Sequence, residues 1–200
     1  MMDNEVLKTP RERSSCPAFA DGLPEREKLE TIARAAIESP SGTNSQPWKV
    51  IVVTNKELIR EIEDETVRMM ARIPSYQHFY EVVTSTGMKL FYNAPCMIVL
   101  AIDKGDAYAQ YDCGIDSQSI AQAAQSVGVA NRIIAINEVA FMGDKAEELK
   151  EKLGFPENYE FGLTVLLGNA PSRRRPMRRT AGKSYLLTEE RAGTSGWPVL

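Results

Sequence analysis

The chain has 200 residues, of which 43% are apolar and 26% charged, and a net charge of −3, as expected for one globular domain. No apolar run approaches the roughly 20 residues of a membrane-spanning helix, and the N-terminus lacks the basic and apolar regions of a secretory signal. Three cysteines without C-x-x-C spacing argue against a disulfide framework and favour a reducing cytoplasm.

The N-terminal half predicts a helix, a buried strand and a second helix. Apolar residues at i, i+3, i+4 spacing indicate the first helix over residues 24–38, with Pro24 in its first turn. This helix should end before Pro40, because the residue preceding a proline disfavours helical backbone. A β-branched run within residues 48–54 predicts the strand, and Asn55 is the expected N-cap of the next helix.

The C-terminal half predicts three strands and two helices. The strands are expected at residues 96–102, 133–136 and 161–168, and the helices at 112–127 and 144–154. Gly128 should follow the last residue of the first of these helices, and Asp144 with Glu147 should cap the second. Strands that alternate with helices favour a layered mixed α/β or α+β fold.

Several common catalytic motifs are absent from the sequence. No Gly-x-Gly-x-x-Gly motif follows a predicted strand, which argues against a Rossmann dinucleotide site. The sequence also contains no P-loop motif. The only histidine, His78, is expected in an exposed irregular stretch. A zinc site usually draws on several histidines or cysteines, and a serine triad also needs a histidine. We therefore expect no metal site, and an enzyme of this sequence would rely on a bound cofactor.

Three segments have the composition of a site for a phosphorylated cofactor. Residues 11–15 form an irregular segment with arginines and hydroxyls two residues apart, which can converge on a phosphate. Residues 39–48 offer Ser, Thr, Asn and Gln donors along a path shaped by proline and glycine, although a capped turn is the alternative interpretation. The third segment is an arginine cluster over residues 173–179.

The arginine cluster lies in a basic segment of an otherwise acidic chain. Residues 171–183 carry six cations and no acid in a chain of net charge −3, so the remainder has a charge of −9. This asymmetry indicates a local anion site, with a solvated basic tail as the alternative. A nucleic-acid interface is disfavoured because no aromatic platform accompanies the arginines.

The sequence resembles the FMN-dependent nitroreductase-like family. Residues 39–48, with Ala35 and Ala36 before them and a strand after them, match the family signature in order. Residues 13–19 resemble its N-terminal Arg-x-Ser-x-(Lys/Arg)-x-Phe element. Asp112-Cys113-Gly114 and residues 123–129 resemble its central helix, and residues 166–171 resemble its last core strand.

The resemblance implies an α+β fold in which helices flank a central, mostly antiparallel sheet, within an intertwined homodimer that holds FMN at its interface. One domain is expected over residues 1–179, with a C-terminal arm or disordered tail over 180–200. The implied activity is two-electron transfer, in which NAD(P)H delivers hydride to flavin N5 and a nitroaromatic, quinone or similar electrophile then takes the electrons. The expected partners are a second copy and this electrophile, with no nucleic acid and no membrane.

The resemblance also implies which residues bind FMN. Arg13, Ser14 and Ser15 are expected at the phosphate or ribityl chain, and Arg178 or Arg179 should close the phosphate clamp. A loop of one subunit should approach the flavin held by the other through Pro40, Ser41, Gly42 and Asn44. A polar contact to the flavin is expected from Asp112. Ile133, Ala135 and Ile136 are expected along the isoalloxazine edge, with a backbone N–H near N5.

The sequence departs from the family pattern at three points. Pro17 stands where relatives usually carry a lysine or arginine near the flavin pyrimidine, a cation that stabilises reduced flavin; Lys89 is a candidate replacement. Ala135 and Ile136 replace a polar or glycine-containing pair. The link over residues 103–110 lacks the helical cover of larger relatives, which predicts an open flavin. Pro17 and the short link support the alternative that the chain stores or delivers FMN, or senses redox state, with little turnover.

Overall fold

A computed structural model describes residues 4–171 of the chain. In this part the α-helices are α1 (Glu5–Glu12), α2 (Arg26–Ile37), α3 (Lys56–Met70), α4 (Gln77–Thr86), α5 (Ala109–Ser126) and α6 (Ala146–Leu153). The strands are β1 (Trp48–Val53), β2 (Cys96–Asp103), β3 (Ala130–Ile134) and β4 (Tyr159–Gly168). Short 3-10 helices occupy Gly42–Asn44, Pro74–Tyr76 and Ile136–Phe141.

The four strands form one antiparallel sheet with the order β1-β2-β4-β3. The central strand β2 is buried over all but its last residue, which explains why its sequence is continuously apolar. Ser15 forms a parallel bridge to Asn131 at the outer edge of β3, so the N-terminal segment runs beside that strand. This arrangement confirms the expected α+β class with an antiparallel sheet.

Helices cover both faces of the sheet. On one face α2 and α5 pack on the strands through fully buried side chains such as Ile32, Ile120 and Leu100. On the other face α3 contributes Ile62 and Met70 to a separate core cluster. Each such side chain stabilises the fold by roughly 1.5–3 kcal/mol. The loops at the ends of the helices are thereby held in fixed positions relative to β3.

Two predicted capping residues are found where expected. The side chain of Asn55 accepts a hydrogen bond from the Leu58 amide at 3.0 Å, so it caps α3 as predicted. Gly128 follows α5 with a φ of 75°, a left-handed conformation that glycine adopts without steric cost. Two helix starts were displaced: α2 begins at Arg26, after the buried Pro24, and α5 begins at Ala109, one turn before the predicted residue 112.

The prediction of a strand over residues 133–136 has the wrong bounds. Strand β3 covers Ala130–Ile134, and a 3-10 helix begins at Ile136. The polar residues Asn131 and Arg132 obscured its first half. Asn131 is fully buried, and its side-chain N–H group donates to the Ala121 carbonyl at 3.1 Å, a contact that replaces one of its hydrogen bonds to water.

The predicted capping pair Asp144 and Glu147 does not form. Helix α6 begins at Ala146, and its N-cap residue makes no side-chain hydrogen bond to the helix. Asp144 instead pairs with Arg68 on α3, and Glu147 pairs with Lys150 at 2.8 Å. The Asp144 carboxylate, which the local pattern assigned to the helix cap, therefore forms a tertiary ion pair instead.

The sequence pattern predicted neither α1 nor α4. Asn4 caps α1 by accepting from the Leu7 amide at 2.9 Å, and the helix buries no residue, with its apolar side chains Val6 and Leu7 exposed. Residues 11 and 12 belong to α1, so the irregular segment begins only at Arg13. His78 is exposed, as expected, but lies in α4 rather than in an irregular stretch.

Some predictions concern residues that are not described. The arginine cluster, including Arg178 and Arg179, and the predicted tail over 180–200 lie outside residues 4–171. Within that range, none of the helices has the length and apolar content that crossing a membrane would require.

Candidate functional site

The first candidate segment follows α1 and runs along β3. Arg13 ends the helix, with its amide donating to the Thr9 carbonyl at 3.0 Å, and its side chain is half-buried. Ser14 is buried and Ser15 is half-buried. The bridge from Ser15 to Asn131 is continued by the Cys16 amide, which donates to the Asn131 carbonyl at 2.9 Å. The predicted phosphate-binding residues therefore lie beside the strand that leads to Ile133.

The end of β3 exposes backbone where the flavin edge was predicted. Ile133 and Ile136 are half-buried, and Ala135 between them is exposed. The chain changes here from strand to 3-10 helix, whose first amides have no acceptor within the helix. Asn137 stabilises this turn, because its buried amide donates to the Thr164 hydroxyl at 2.8 Å. These residues can present main-chain donors to a heterocycle.

The second candidate segment, residues 39–48, is held by α5. Both carboxylate oxygens of Asp112 accept from the Gly42 amide, at 3.0 and 3.2 Å. Asp112 is buried, so this charge-assisted contact is shielded from water. In this chain the predicted flavin-contacting carboxylate thus supports the loop that was predicted to approach the partner's flavin.

The same loop has an unusual backbone conformation. Thr43, Asn44 and Gln46 have φ values of 52°, 59° and 49°, in the left-handed region that side chains other than glycine rarely adopt. Such residues cost roughly 1–3 kcal/mol each and cluster at ligand sites. The Ser41 hydroxyl accepts from the Gln46 amide at 2.9 Å, which closes the turn. Pro40 and Asn44 are exposed on it.

The short link over residues 103–110 packs against this loop. An added Cβ at Gly42 would lie 3.2 Å from the Tyr108 ring, so the backbone and the ring are already in close contact. The Ser45 hydroxyl and the Tyr108 amide hold the pKa of Asp106 below its ordinary value. Tyr108 remains 56% exposed. The link therefore forms part of the loop's support, a role that its length alone did not suggest.

A buried carboxyl lies directly beneath the loop. The Ser39 hydroxyl lies within hydrogen-bonding distance of Asp116, at 3.3 Å, and also of the Ala35 carbonyl. Asp116 is fully buried, and burial raises the pKa of its carboxyl to about 7, although Ser39 acts in the opposite direction. Its second carboxylate oxygen has no hydrogen-bond partner within the described chain. Sequence reasoning missed this pair because its residues are far apart in the chain.

The cysteines have the character of packed thiols. All three lie in the described region, buried and free. Burial raises the pKa of both Cys96 and Cys113 to about 12, with Asp116 contributing at Cys113, so neither is a thiolate near neutral pH. Residues 4–171 also contain no group of three His, Cys, Asp or Glu side chains that could hold a metal ion.

Arg132 is the second residue that sequence reasoning missed. Its guanidinium donates to the Cys16 carbonyl at 3.1 Å and lies 3.9 Å from the centre of the Tyr92 ring. Pro17, next to Cys16, is exposed, and Lys89 is exposed in the loop between α4 and β2. The available signal was a charged residue next to an apolar run. The predicted strand began at residue 133, so Arg132 was left outside it.

The structure thus brings the predicted residues together in two groups. Arg13, Ser14 and Ser15 lie along β3 and its exit, whereas the loop from Pro40 to Asn44 is tied to Asp112 on α5. The first group combines a cation, hydroxyls and exposed backbone at the end of β3. This combination suits a phosphorylated cofactor with a polar heterocycle. The second group offers a shaped loop on the surface.

Comparison with known proteins assigns the chain to a family. The model of the "Nitroreductase family" matches residues 11–169. A crystal structure of a nitroreductase with bound FMN from Desulfitobacterium hafniense is 46% identical, covers 90% of this chain and 96% of its own, and has a TM-score of 0.83. A second FMN-bound nitroreductase structure, from Bacteroides fragilis, shares the fold with a TM-score of 0.85 at 23% identity, over 93% of this chain and 100% of that one.

A curated relative extends this similarity to the archaea. The protein comes from Archaeoglobus fulgidus, carries the provisional name NADH dehydrogenase/NAD(P)H nitroreductase, and is 27% identical over 82% of this chain and 84% of its own. The expected nitroreductase-like fold is confirmed by these comparisons. The family model spans the described segments that form both groups of site residues. The chain therefore belongs to the nitroreductase family.

Proposed function

We propose that this chain is an FMN-dependent NAD(P)H oxidoreductase that reduces nitroaromatics, quinones or similar flat electrophiles. The observation that carries the proposal is the alignment of Arg13, Ser14 and Ser15 beside β3, together with the 46% identical relative that binds FMN. When bound, FMN would take two electrons and a proton from NAD(P)H as hydride and pass two electrons to the electrophile, with protons supplied by water.

The chain's own residues would position the cofactor rather than react. Arg13 would form charge-assisted hydrogen bonds to the phosphate, and the hydroxyls of Ser14 and Ser15 would donate to the phosphate or ribityl chain. Arg178 or Arg179, which lie outside the described residues, would complete the clamp. The backbone at Ala135 and Ile136 would face the edge of the heterocycle, with Ile133 packing before it. No side chain is required as a general acid or base.

The loop from Pro40 to Asn44 would complete the site across a homodimer interface. Asp112 restrains Gly42 through two short contacts, and the positive φ of Asn44 sets the direction of the loop. A loop that is restrained before binding costs less conformational entropy when it meets a ligand. We propose that Pro40, Ser41, Gly42 and Asn44 of one subunit contact the flavin of the other.

Two wider proposals accompany this function. A single domain over residues 1–179 is supported by the family match to residues 11–169, and the C-terminal segment proposed over 180–200 lies outside the described residues. A reducing cytoplasm is supported by the three free thiols, because buried cysteines of this kind persist unpaired where thiols are kept reduced.

The visible spectrum of the purified protein tests the cofactor, and anaerobic mixing with a nicotinamide tests the activity. We expect an oxidised-flavin spectrum that NADH or NADPH bleaches within seconds and that a quinone restores. Colourless protein that does not bind added FMN would contradict the proposal. Protein that binds FMN but is not bleached by either nicotinamide would favour the storage, delivery or redox-sensing alternative.

A further inference from the structure

Arg132 is a cation whose charge the described part of the chain does not balance. The ion pairs of residues 4–171 involve other arginines and lysines, and no carboxylate pairs with Arg132. The side chain is half-buried, and its partners are a carbonyl oxygen and an aromatic ring. Partly desolvated charges are usually paired, so an unbalanced guanidinium in this position fits an anionic ligand.

The position of Arg132 is fixed by two different elements. Its hydrogen bond to the Cys16 carbonyl, at 3.1 Å, attaches it to the segment that follows Ser15. Its guanidinium lies 3.9 Å from the centre of the Tyr92 ring, within cation–π distance, and Tyr92 itself has a φ of 56° in a tight turn before β2. Both contacts restrain the guanidinium, so its positive charge is held in one position.

These two segments contain the two positions that were considered for the cation. Pro17 follows the carbonyl that Arg132 contacts, and Lys89 lies three residues before Tyr92. Ile133, which begins the proposed flavin edge, is the next residue after Arg132 on β3. The guanidinium of Arg132 therefore contacts both chain segments that contain the positions considered for the charge, whereas Lys89 is exposed and Pro17 carries none.

We propose that Arg132 supplies the positive charge at the pyrimidine end of the flavin and so stabilises reduced FMN. This inference rests on the proposed function, because it assigns the electrostatics of the same site. Reduction adds negative charge to the ring system, and a restrained cation stabilises that form more than the oxidised form. Arg13 and the serines are proposed to bind the phosphate, so the two arginines are assigned to different parts of the cofactor.

The test compares Arg132→Gln with Lys89→Gln in protein reconstituted with FMN. Affinity for oxidised FMN is measured by flavin fluorescence, and the midpoint potential by anaerobic equilibration with a reference dye. For Arg132→Gln we expect reduced FMN to lose about tenfold more affinity than oxidised FMN, which for a two-electron couple equals a potential about 30 mV lower. Lys89→Gln should leave the potential unchanged.

Arg132→Lys separates charge from structure. It keeps the cation but loses the planar guanidinium, so its potential should remain near that of the wild type even if its melting temperature falls. This variant also keeps the proposal testable if Arg132→Gln does not fold. A potential for Arg132→Lys that falls well below that of the wild type, in protein that still binds FMN, would overturn the proposal.

The remaining outcomes each exclude the proposed role. Equal losses for oxidised and reduced FMN, with riboflavin binding unaffected, would make Arg132 a phosphate ligand. Equal losses for both flavins in both states would make it a structural tie between residue 16 and β3. A lower potential in Lys89→Gln alone would assign the charge to Lys89. Wild-type protein that binds no FMN would remove the proposed function and this inference together, whereas all other failures leave the function intact.

Discussion

At the residue scale, Asp116 links the fold to pH. Its carboxyl is fully buried and its pKa is raised to about 7, mainly by burial. Between pH 4 and 7 the unfolded chain is ionised at this residue while the folded chain keeps the proton. The folded state then binds more protons, so this residue's stabilising contribution, full below pH 4, is lost as pH rises towards 7.

Asp116→Asn should remove that dependence while keeping a side chain of the same shape. We expect the difference in unfolding free energy between variant and wild type to grow in favour of the variant from pH 4 to pH 7. One pKa unit corresponds to about 1.4 kcal/mol, so the change should be readily measured. Urea titrations at several pH values provide the measurement. A difference that does not vary with pH would show that Asp116 titrates normally.

Arg13 tests the phosphate clamp. Arg13→Ala should weaken FMN binding on the order of tenfold or more, because a hydrogen bond to a charged group contributes roughly 1.5–3 kcal/mol. Riboflavin, which lacks the phosphate, should bind wild type and variant equally poorly. Arg34→Ala, at an exposed position on α2, serves as the control. Unchanged FMN affinity in Arg13→Ala would show that the N-terminal segment is wrongly assigned.

Contiguous motifs could be found from the sequence, whereas long-range partners could not. Arg13 and Ser15 lie two residues apart, so their shared chemistry is visible in a short window. The Ser39–Asp116 contact joins residues separated by 77 positions, and only packing of α2 on α5 creates it. Arg132 acquires its role from a carbonyl and a ring on two other segments. No local pattern encodes such contacts.

At the element scale, the attachment of the 39–48 loop to α5 depends on one carboxylate. Asp112→Ala would leave the half-buried Gly42 amide without its acceptor and should lower stability by roughly 1–3 kcal/mol. Because the loop would lose its restraint, hydrogen exchange should accelerate in the peptide that contains Gly42. Asp64→Ala, exposed on α3, is the matched control. Unchanged exchange at Gly42 would show that Tyr108 and Ser41 hold the loop without Asp112.

Elements with regular apolar patterns were predictable, and those shaped by tertiary contacts were not. Strand β2 is apolar throughout because both of its faces are covered, and it was predicted to within one residue. Strand β3 begins three residues earlier than predicted, and its polar residues Asn131 and Arg132 each donate a hydrogen bond to a backbone carbonyl of another segment. Helix α1 buries no residue and contains Pro10, so it does not match the pattern of a helix that faces the core.

At the scale of the whole molecule, α5 exposes an apolar surface that suits a second copy. Tyr111 and Ile115 lie one turn apart on this helix and are 73% and 43% exposed. Ile37, which is 60% exposed, lies two residues before Ser39, and Ser39 contacts α5 next to Ile115. Single exposed apolar residues are ordinary, but a cluster on two packed helices indicates an interaction surface.

Ile115→Arg should separate the proposed homodimer without disturbing the chain's own core, because the side chain is already partly exposed. We expect wild-type protein to sediment as a dimer with two FMN, and FMN to raise its melting temperature because it binds only the folded state. The variant should sediment as a monomer and lose FMN, since the loop containing Gly42 would no longer reach the partner's flavin.

Met142→Arg is the control at a site 59% exposed and distant in sequence. A wild-type monomer that retains FMN at micromolar concentration would contradict the shared site, and a dimeric Ile115→Arg would place the interface elsewhere.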